Sequence, residues 1–172
     1  MAANQPEKIY SLDELAKFLV KAKTNTYAAG KKEKIKHVLR EVEFCEEKWG
    51  YKDSYIGFDR TPGHGVEMVR YSGLPVWMLS YHGGMLPEYQ KDNALREETF
   101  SFLKKALLLV NESKPFRGPN LYAPQGSVLT YVSSSEGDIK NFKGQEAIWN
   151  VEKEIYTLNY IGGIVLPEEI ID

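Results

Sequence analysis

One segment of the chain occurs twice. The stretch GVEMVRYSGLPVWMLSYHGG, residues 65–84, returns as GQEAIWNVEKEIYTLNYIGG at residues 144–163. Aligned without gaps, six of the twenty positions are identical, whereas roughly one would be expected at average composition. Similar helix-like segments precede each copy, FLVKA at 18–22 and FLKKA at 102–106. An internal duplication of about eighty residues predicts a single domain made of two repeats, 10–89 and 90–167, that pack on each other.

Each predicted repeat begins with an amphipathic helix. Ser11 and Glu14 have the spacing of a capping box, in which each side chain satisfies a backbone amide of the other residue. Apolar residues then recur at helical spacing and predict a buried stripe: Leu12, Leu15, Ala16, Leu19 and Ala22. The pattern ends near residues 24–26, where the polar stretch TNT disfavours a helix. The second helix is predicted from Asp92–Asn93 to the region of Val110.

Strand patterns follow each helix. The first repeat offers LREVEFCEE and WGYKDSYIG, and then GVEMVRY and PVWMLSY, which are joined by a hairpin connection at 72–74. The second repeat offers SVLTYVSS, GQEAIWN and EIYTLNY. Short gaps between strands favour antiparallel pairing. The predicted fold is therefore α+β, with two tandem units, each a helix plus a three- or four-stranded antiparallel meander, around a shared core. The lysine-rich run at 31–36 is predicted to be a solvated connector.

Each copy of the repeat carries one glutamate on an apolar face. Alternation places Glu67 on the face of Val69, and Glu146 on the face of Ile148. A carboxylate in such a position is costly unless it is paired or hydrogen-bonded. One interpretation is structural, with each carboxylate accepting backbone amides at a bulge or turn and locking its hairpin. The other interpretation makes the two glutamates the walls of a pocket between the repeats.

Aromatic residues are the predicted lining of such a pocket. Alternation places Trp49, Tyr51, Asp53 and Tyr55 on one face of a strand. The chain has eleven tyrosines, and an aromatic cleft that contains carboxylates suits a cationic or amphipathic organic ligand. Arg117, in the loop KPFRGP, either pairs with a carboxylate such as Glu146 or contacts an anionic ligand. The candidate ligand-binding residues are Glu67, Glu146, Asp53, Tyr51, Tyr55, Tyr81, Tyr160 and Arg117.

Composition and motifs argue against several classes of function. The formal net charge of −2 gives no electrostatic reason to bind nucleic acid. The longest apolar stretch, residues 106–110, is too short to cross a bilayer. The three histidines lack a metal-binding spacing, so we expect no metal and no cofactor. The N-terminus lacks the apolar core of a signal peptide and the lone cysteine, Cys45, fits a reducing compartment, so we expect a cytoplasmic protein.

Several segments occur in a recognisable order: FLVKAKTNTYA, YKDSYIG, PVWMLSYHGG, RGP and FKGQEAIW…IYTLNYIGG. From Leu12 to Val165 they resemble a bacterial family of unknown function, domain family 5680. That family occurs alone and also appended to the helix-turn-helix domains of Xre-type regulators, which implies an effector-sensing or partner-binding domain. This chain is similar to the stand-alone form, so DNA binding is not carried over. One departure within the repeat is Phe142, which stands where the first copy has Gly63.

Three functions are compatible with these features. The favoured hypothesis is non-enzymatic, sensor-like binding of a small organic ligand in a cleft between the repeats. The second is a protein-interaction module that uses an exposed sheet edge or aromatic patch, with a homodimer as one arrangement. The third, and least favoured, is a small hydrolase or transferase that uses Glu67 and Glu146 as a carboxylate pair.

Overall fold

Two antiparallel meanders share one sheet in the structure, a computed structural model that describes residues 9–57 and 62–165. The first half contains α1 (Leu12–Thr24), β1 (Lys34–Lys36), β2 (Leu39–Glu46), β3 (Trp49–Ile56), β4 (Gly63–Tyr71) and β5 (Leu74–Met85). After a 3₁₀ turn at Pro87–Tyr89, the second half contains α2 (Asn93–Leu107), β6 (Leu121–Tyr122), β7 (Leu129–Asp138), β8 (Asn141–Asn150) and β9 (Lys153–Ile164). The α+β class is confirmed.

The two similar segments, residues 65–84 and 144–163, lie in the β4–β5 and β8–β9 hairpins, which meet at the centre of the sheet. Within the described ranges, the strand order is β1-β2-β3-β4-β5-β9-β8-β7-β6, and every neighbouring pair is antiparallel. Tyr81 of β5 lies opposite Tyr160 of β9. This central pairing makes the two meanders one continuous sheet. The second half supplies four strands, within the predicted three or four, and the first half supplies five, one more than predicted.

Both helices begin at the residues that the sequence predicts. In α1, the Glu14 amide donates to the Ser11 hydroxyl at 3.2 Å, and the Ser11 amide donates to the Glu14 carboxylate at 2.8 Å. The helix ends at Thr24, as the TNT stretch indicated. In α2, the side chain of Asp92 accepts from the Leu95 amide at 3.0 Å. That helix ends at Leu107, earlier than expected, because the segment up to Val110 forms a turn.

The helices cover the inner face of the sheet, and their apolar stripes join the strands in one core. The strand residues that point inward include Trp77 and its counterpart in the repeat, Tyr156, which are both fully buried. Burial of side chains of this size contributes about 1.5–3 kcal/mol each to stability. The inward tyrosines also demand glycine on the neighbouring strand. A Cβ at Gly65 would lie 2.2 Å from the Tyr81 ring, and one at Gly144 would lie 2.4 Å from the Tyr160 ring.

The lysine-rich run at residues 31–36 is in part a strand. Lys34–Lys36 form β1, which pairs with β2, and the Lys34 ammonium lies 3.0 Å from the carboxylate of Glu43. The prediction of a solvated connector is therefore wrong for these residues. A strand of three residues is too short to show alternation, and charged side chains are common on an edge strand.

The structure has no helix, among the residues that it describes, that is long and apolar enough to cross a membrane.

Candidate functional site

Two small cavities lie side by side between the sheet and the segments that follow the helices. The first, which we call the lysine cavity, is lined by Lys23, Thr26, Tyr27, Ala28, Tyr51, Asp53, Glu67, Leu107, Val110, Phe116 and Arg117. The second, the tyrosine cavity, is lined by Tyr27, Asp53, Tyr55, Tyr81, Leu103, Arg117 and Tyr156. Their volumes are about 30 Å³ and 20 Å³. Both halves of the chain contribute residues to each cavity, and Tyr27, Asp53 and Arg117 line both.

Glu67 is paired with a lysine from α1. The Lys23 ammonium contacts the Glu67 carboxylate and donates to the Phe116 carbonyl at 2.9 Å. It also lies 5.9 Å from the ring centroid of Tyr51 and 5.6 Å from that of Trp77, at distances typical of cation–π contacts. Burial lowers the pKa of the Lys23 ammonium, and the Glu67 carboxylate opposes this shift.

Glu146 is paired with Arg117 in a two-pronged contact. The Nε and Nη2 atoms of Arg117 donate to the two carboxylate oxygens at 3.0 Å and 2.7 Å. The hydroxyls of Tyr131 and Tyr156 donate to the same carboxylate at 2.8 Å and 3.2 Å. Burial acts to lower the pKa of the Arg117 guanidinium, but the Glu146 carboxylate outweighs it and holds the pKa well above its usual range. Four donated hydrogen bonds leave Glu146 well satisfied.

Arg117 links the two repeated glutamates. Its Nη1 atom lies 3.6 Å from a carboxylate oxygen of Glu67, while the rest of the guanidinium holds Glu146. The loop that carries it packs closely on the sheet. A Cβ at Gly118 would lie only 2.9 Å from the Tyr131 ring, so the close approach requires glycine there. Both glutamates are therefore paired with side-chain cations. The structural interpretation expected them to accept from backbone amides, and within the described residues neither does.

Asp53 is the third buried carboxyl group of this cluster, and it is only 4% exposed. It lies directly opposite Glu67 in the pairing of β3 with β4. Its carboxylate accepts a hydrogen bond from the Tyr81 hydroxyl at 2.8 Å, and no lysine or arginine of the described residues forms an ion pair with it. Burial, together with the charge of Glu67, raises the pKa of Asp53 to about 7.

Tyrosine rings surround Asp53, and several of them already face cations. The Lys104 ammonium lies 4.9 Å from the ring centroid of Tyr27, and the Arg117 guanidinium lies 5.4 Å from that of Tyr81. Tyr27 and Tyr55 meet edge to face, with their centroids 5.9 Å apart. Burial raises the pKa of Tyr27 and Tyr81, so their hydroxyls stay neutral at physiological pH.

The structure brings six of the eight candidate residues together around the two cavities. These are Asp53, Tyr51, Tyr55, Glu67, Tyr81 and Arg117. Glu146 lines neither cavity, although it contacts Arg117 from the far side. Tyr160 also lies outside, where its hydroxyl is 3.2 Å from the Ser133 hydroxyl. Each repeated glutamate thus has its own surroundings, and Arg117 is the connection between them.

Two important residues, Lys23 and Tyr27, were missed by the sequence analysis. Lys23 lies four residues after Leu19, on the buried stripe of α1, so its helical spacing already placed it in the core. A lysine in that position indicates a buried partner of opposite charge. Tyr27 lies beyond the end of the helix, where no periodic pattern gives the direction of a side chain.

His64 and His82 lie on the opposite, outer face of the sheet, stacked with their ring centroids 4.1 Å apart. Both are exposed. No group of three or more His, Cys, Asp or Glu side chains suited to a metal ion is found where the structure describes the chain.

These features define a two-layer α+β domain with five charged side chains buried between its helices and its sheet: Lys23, Asp53, Glu67, Arg117 and Glu146. The model of the family described as Domain of unknown function (DUF5680) matches residues 53–165, which is more than half of the chain, and the chain belongs to that family. The match starts at Asp53, so α1 with Lys23 lies outside it. The search of curated proteins and that of solved structures gave no match.

Proposed function

We propose that this protein is a non-enzymatic, sensor-like domain that binds a small organic cation beside Asp53, between the two halves of the chain. The observation that carries the proposal is the position of Asp53. It is a buried carboxyl group that lines both cavities and has no cationic side chain of its own among the described residues. A buried charge without a partner is costly, so it marks a place where a partner is expected to bind.

The count of charges in the cluster supports a cationic ligand. Three carboxyl groups, from Asp53, Glu67 and Glu146, face two cations, from Lys23 and Arg117. Each glutamate has a contact with one of those cations. When all five groups are ionised, the described part of the cluster therefore has an excess of one negative charge, and it resides on Asp53. A bound cation would neutralise that charge, whereas an anion would add to it.

The second half of the chain supplies a comparison. Ser133 lies opposite Glu146 in the pairing of β7 with β8, as Asp53 lies opposite Glu67. The hydroxyl of Tyr160 meets Ser133 there, as that of Tyr81 meets Asp53. In the second half, the neutral Ser133 hydroxyl thus pairs with the Tyr160 hydroxyl, and no buried charge is needed there. The carboxylate of Asp53 exceeds what the fold requires, which favours a role in binding.

The contacts of the glutamates favour binding over catalysis by a carboxylate pair. A general base needs a free lone pair within reach of the substrate. Glu67 is held by Lys23, and Glu146 accepts from Arg117 and two tyrosines. Both are therefore engaged with cations, and Asp53 remains as the cavity-lining carboxyl group that forms no ion pair with a described lysine or arginine.

The test is native mass spectrometry of protein purified gently from its cell lysate, compared with the denatured mass. We expect a discrete excess mass that disappears on denaturation and that is absent from Asp53→Asn. The control is Asp138→Asn, which makes the same chemical change at an exposed position and should keep the ligand. A monomer without bound mass in the wild type would count against the proposal, and a dimer without bound mass would favour an interaction module instead.

The duplication of the chain is part of the same proposal, since the site lies between its halves. It is supported by register shifts at matching positions of the two hairpins, between Val69 and Arg70 and between Ile148 and Trp149. The paired glycines and tyrosines described above recur at the same separation. An alignment of family members whose halves resemble each other no more than unrelated strands would argue against it.

A cytoplasmic location is also proposed, and it rests on the lone cysteine, Cys45, which suits a reducing compartment. Fractionation of cells that express the protein would test it, and recovery in a secreted or membrane fraction would contradict it.

A further inference from the structure

Tyr27 borders both the lysine cavity and the tyrosine cavity. Its half-buried side chain lines both of them, and so do Asp53 and Arg117. Tyr27 lies between α1 and β1, where it makes an edge contact with Tyr55 and a cation–π contact with Lys104. Outward rotation of this one side chain would join the two cavities into a single chamber with Asp53 in its wall.

The size of the cavities shows why such a movement is needed. At about 30 Å³ and 20 Å³, each has room for a water molecule but not for an organic cation. With open solvent included, the empty space is about 320 Å³ at the lysine cavity and about 270 Å³ at the tyrosine cavity. A ligand that occupies both cavities has to displace one of the three side chains that they share, and Tyr27 is the least buried of these.

Six of the fifteen residues that line the two cavities are aromatic, and four others are charged, including the cations Lys23 and Arg117. Tyr51 borders the joined chamber on one side of Asp53, and Tyr55, Tyr81 and Tyr156 border it on the other. Ring faces in this region are already used to hold cations, since Lys23 lies over Tyr51 and Arg117 lies over Tyr81. Electron-rich faces around one carboxylate are the arrangement that proteins use to bind quaternary ammonium groups.

Hydrogen-bonding capacity distinguishes a methylated ammonium from a primary one. A primary ammonium has three N–H donors, and each needs an acceptor when it is buried. The tyrosine hydroxyls of the tyrosine cavity donate to Asp53 and Glu146 and keep acceptor lone pairs, but Asp53 is the one charged acceptor in the lining of this cavity. A cation without N–H groups is neutralised there without leaving donors unpaired.

We propose that the ligand carries a methylated ammonium group, which binds in the joined chamber with Asp53 as its counter-ion and with Tyr27 closing the entrance. This inference rests on the proposed function and narrows its ligand class. The ligand's head group is a cation with few or no N–H donors, which is held by the charge of Asp53 and by the tyrosine rings.

Calorimetric titration with three small alcohols tests the proposal. Choline carries a trimethylammonium group, ethanolamine a primary ammonium, and 3,3-dimethylbutan-1-ol is the neutral isostere of choline. We expect choline to bind at least about tenfold more tightly than ethanolamine, with no measurable binding of the neutral alcohol. Asp53→Asn should abolish choline binding, while the exposed control Asp138→Asn should bind as the wild type does.

The possible failures separate the two proposals. Tighter binding of ethanolamine than of choline, lost in Asp53→Asn, would overturn the methylated ligand and leave the cation site standing. No binding of either cation would overturn both proposals. Both would also fall if the neutral alcohol bound as well as choline, or if choline bound equally well to Asp53→Asn.

The role of Tyr27 is tested by kinetics. Tyr27→Ala should accelerate the association of choline, measured by stopped-flow fluorescence, because the obstruction is removed. Tyr27→Phe keeps the ring and should associate at the wild-type rate. An unchanged association rate in Tyr27→Ala would overturn the assignment of Tyr27 as the closing residue.

Discussion

The two halves of the molecule each bury one glutamate at corresponding strand positions, but different side chains surround it. In the first half, Glu67 is held by a lysine, and an aspartate, Asp53, lies beside it. In the second half, Glu146 is held by an arginine and two tyrosines, and a serine, Ser133, lies beside it. The second cluster is satisfied by its hydrogen bonds, whereas in the first no described lysine or arginine forms an ion pair with Asp53, which lines both cavities. Two halves of similar sequence can thus bury different numbers of charges on corresponding strands.

The largest effect is expected from breaking the satisfied cluster. Arg117→Ala would leave Glu146 buried without its cation and would also remove the contact between Arg117 and Glu67. We therefore expect the free energy of unfolding to fall by about 3–5 kcal/mol. Urea denaturation followed by circular dichroism measures this loss. The comparison variant is Lys143→Ala, whose exposed ion pair with Glu136 should contribute less than about 1 kcal/mol. Similar losses in the two variants would show that the buried cluster is not special.

The open cluster should respond in the opposite direction. Asp53→Asn removes the unpaired carboxylate and keeps the shape, so at pH 8 we expect the ligand-free protein to gain about 1–2 kcal/mol of stability. The pKa of Asp53 is raised to about 7 in the folded protein, from 3.8 in the absence of the fold. The folded state therefore binds more protons between these values, and stability falls as the pH rises through that window.

The same variant shows the pH dependence most directly. Lys23, Glu67 and Arg117 are the charged groups that act on Asp53, and all three remain in Asp53→Asn. The stability difference between the variant and the wild type should be small near pH 4 and should reach its full size above pH 7. Urea denaturation at a series of pH values provides the curve. Destabilisation by Asp53→Asn at pH 8 would mean that the carboxylate is a structural element and would remove the contrast between the halves.

The smallest effects concern the paired tyrosines. Tyr160→Phe removes a hydrogen bond to a neutral serine, so we expect a loss of about 0.5–1.5 kcal/mol with little dependence on pH. Tyr81→Phe removes a donor to Asp53, and its effect should grow above pH 7, where the carboxylate is ionised. Equilibrium unfolding of both variants at pH 5 and pH 8 makes the comparison. The same pH response in both would indicate that Asp53 does not titrate in this range.

Local patterns in the sequence predicted much of the fold. The capping box of α1, the turns of the two hairpins and the inward direction of Asp53, Glu67 and Glu146 all follow from spacing over a few residues. The strands β5 and β9 run about four residues beyond the predicted ends at Tyr81 and Tyr160. The strand β1 was mistaken for a connector, and the two-residue strand β6 was missed. Such short strands form because a neighbouring strand offers hydrogen bonds, and three residues carry no recognisable period of their own.

The candidate site was predicted less completely, because ion pairs form between distant parts of the chain. Alternation showed that Glu67 points inward, but it gave no partner, since Lys23 lies 44 residues earlier. The loop position of Arg117 left its contact with Glu146 as one of two alternatives, and the packing of that loop on Tyr131 brings the two together.

The sequence by itself determined which apolar residues of the helices and strands lie inside the protein, because period and capping act locally along each element. It also determined that Asp53, Glu67 and Glu146 point inward, since alternation along each strand fixes the direction of its side chains. Only the tertiary structure decided which cation pairs with each glutamate, and that no lysine or arginine of the described residues forms an ion pair with Asp53. Those pairings depend on the central contact of β5 with β9 and on where α1 and the Arg117 loop reach the sheet, and no local rule encodes these distances.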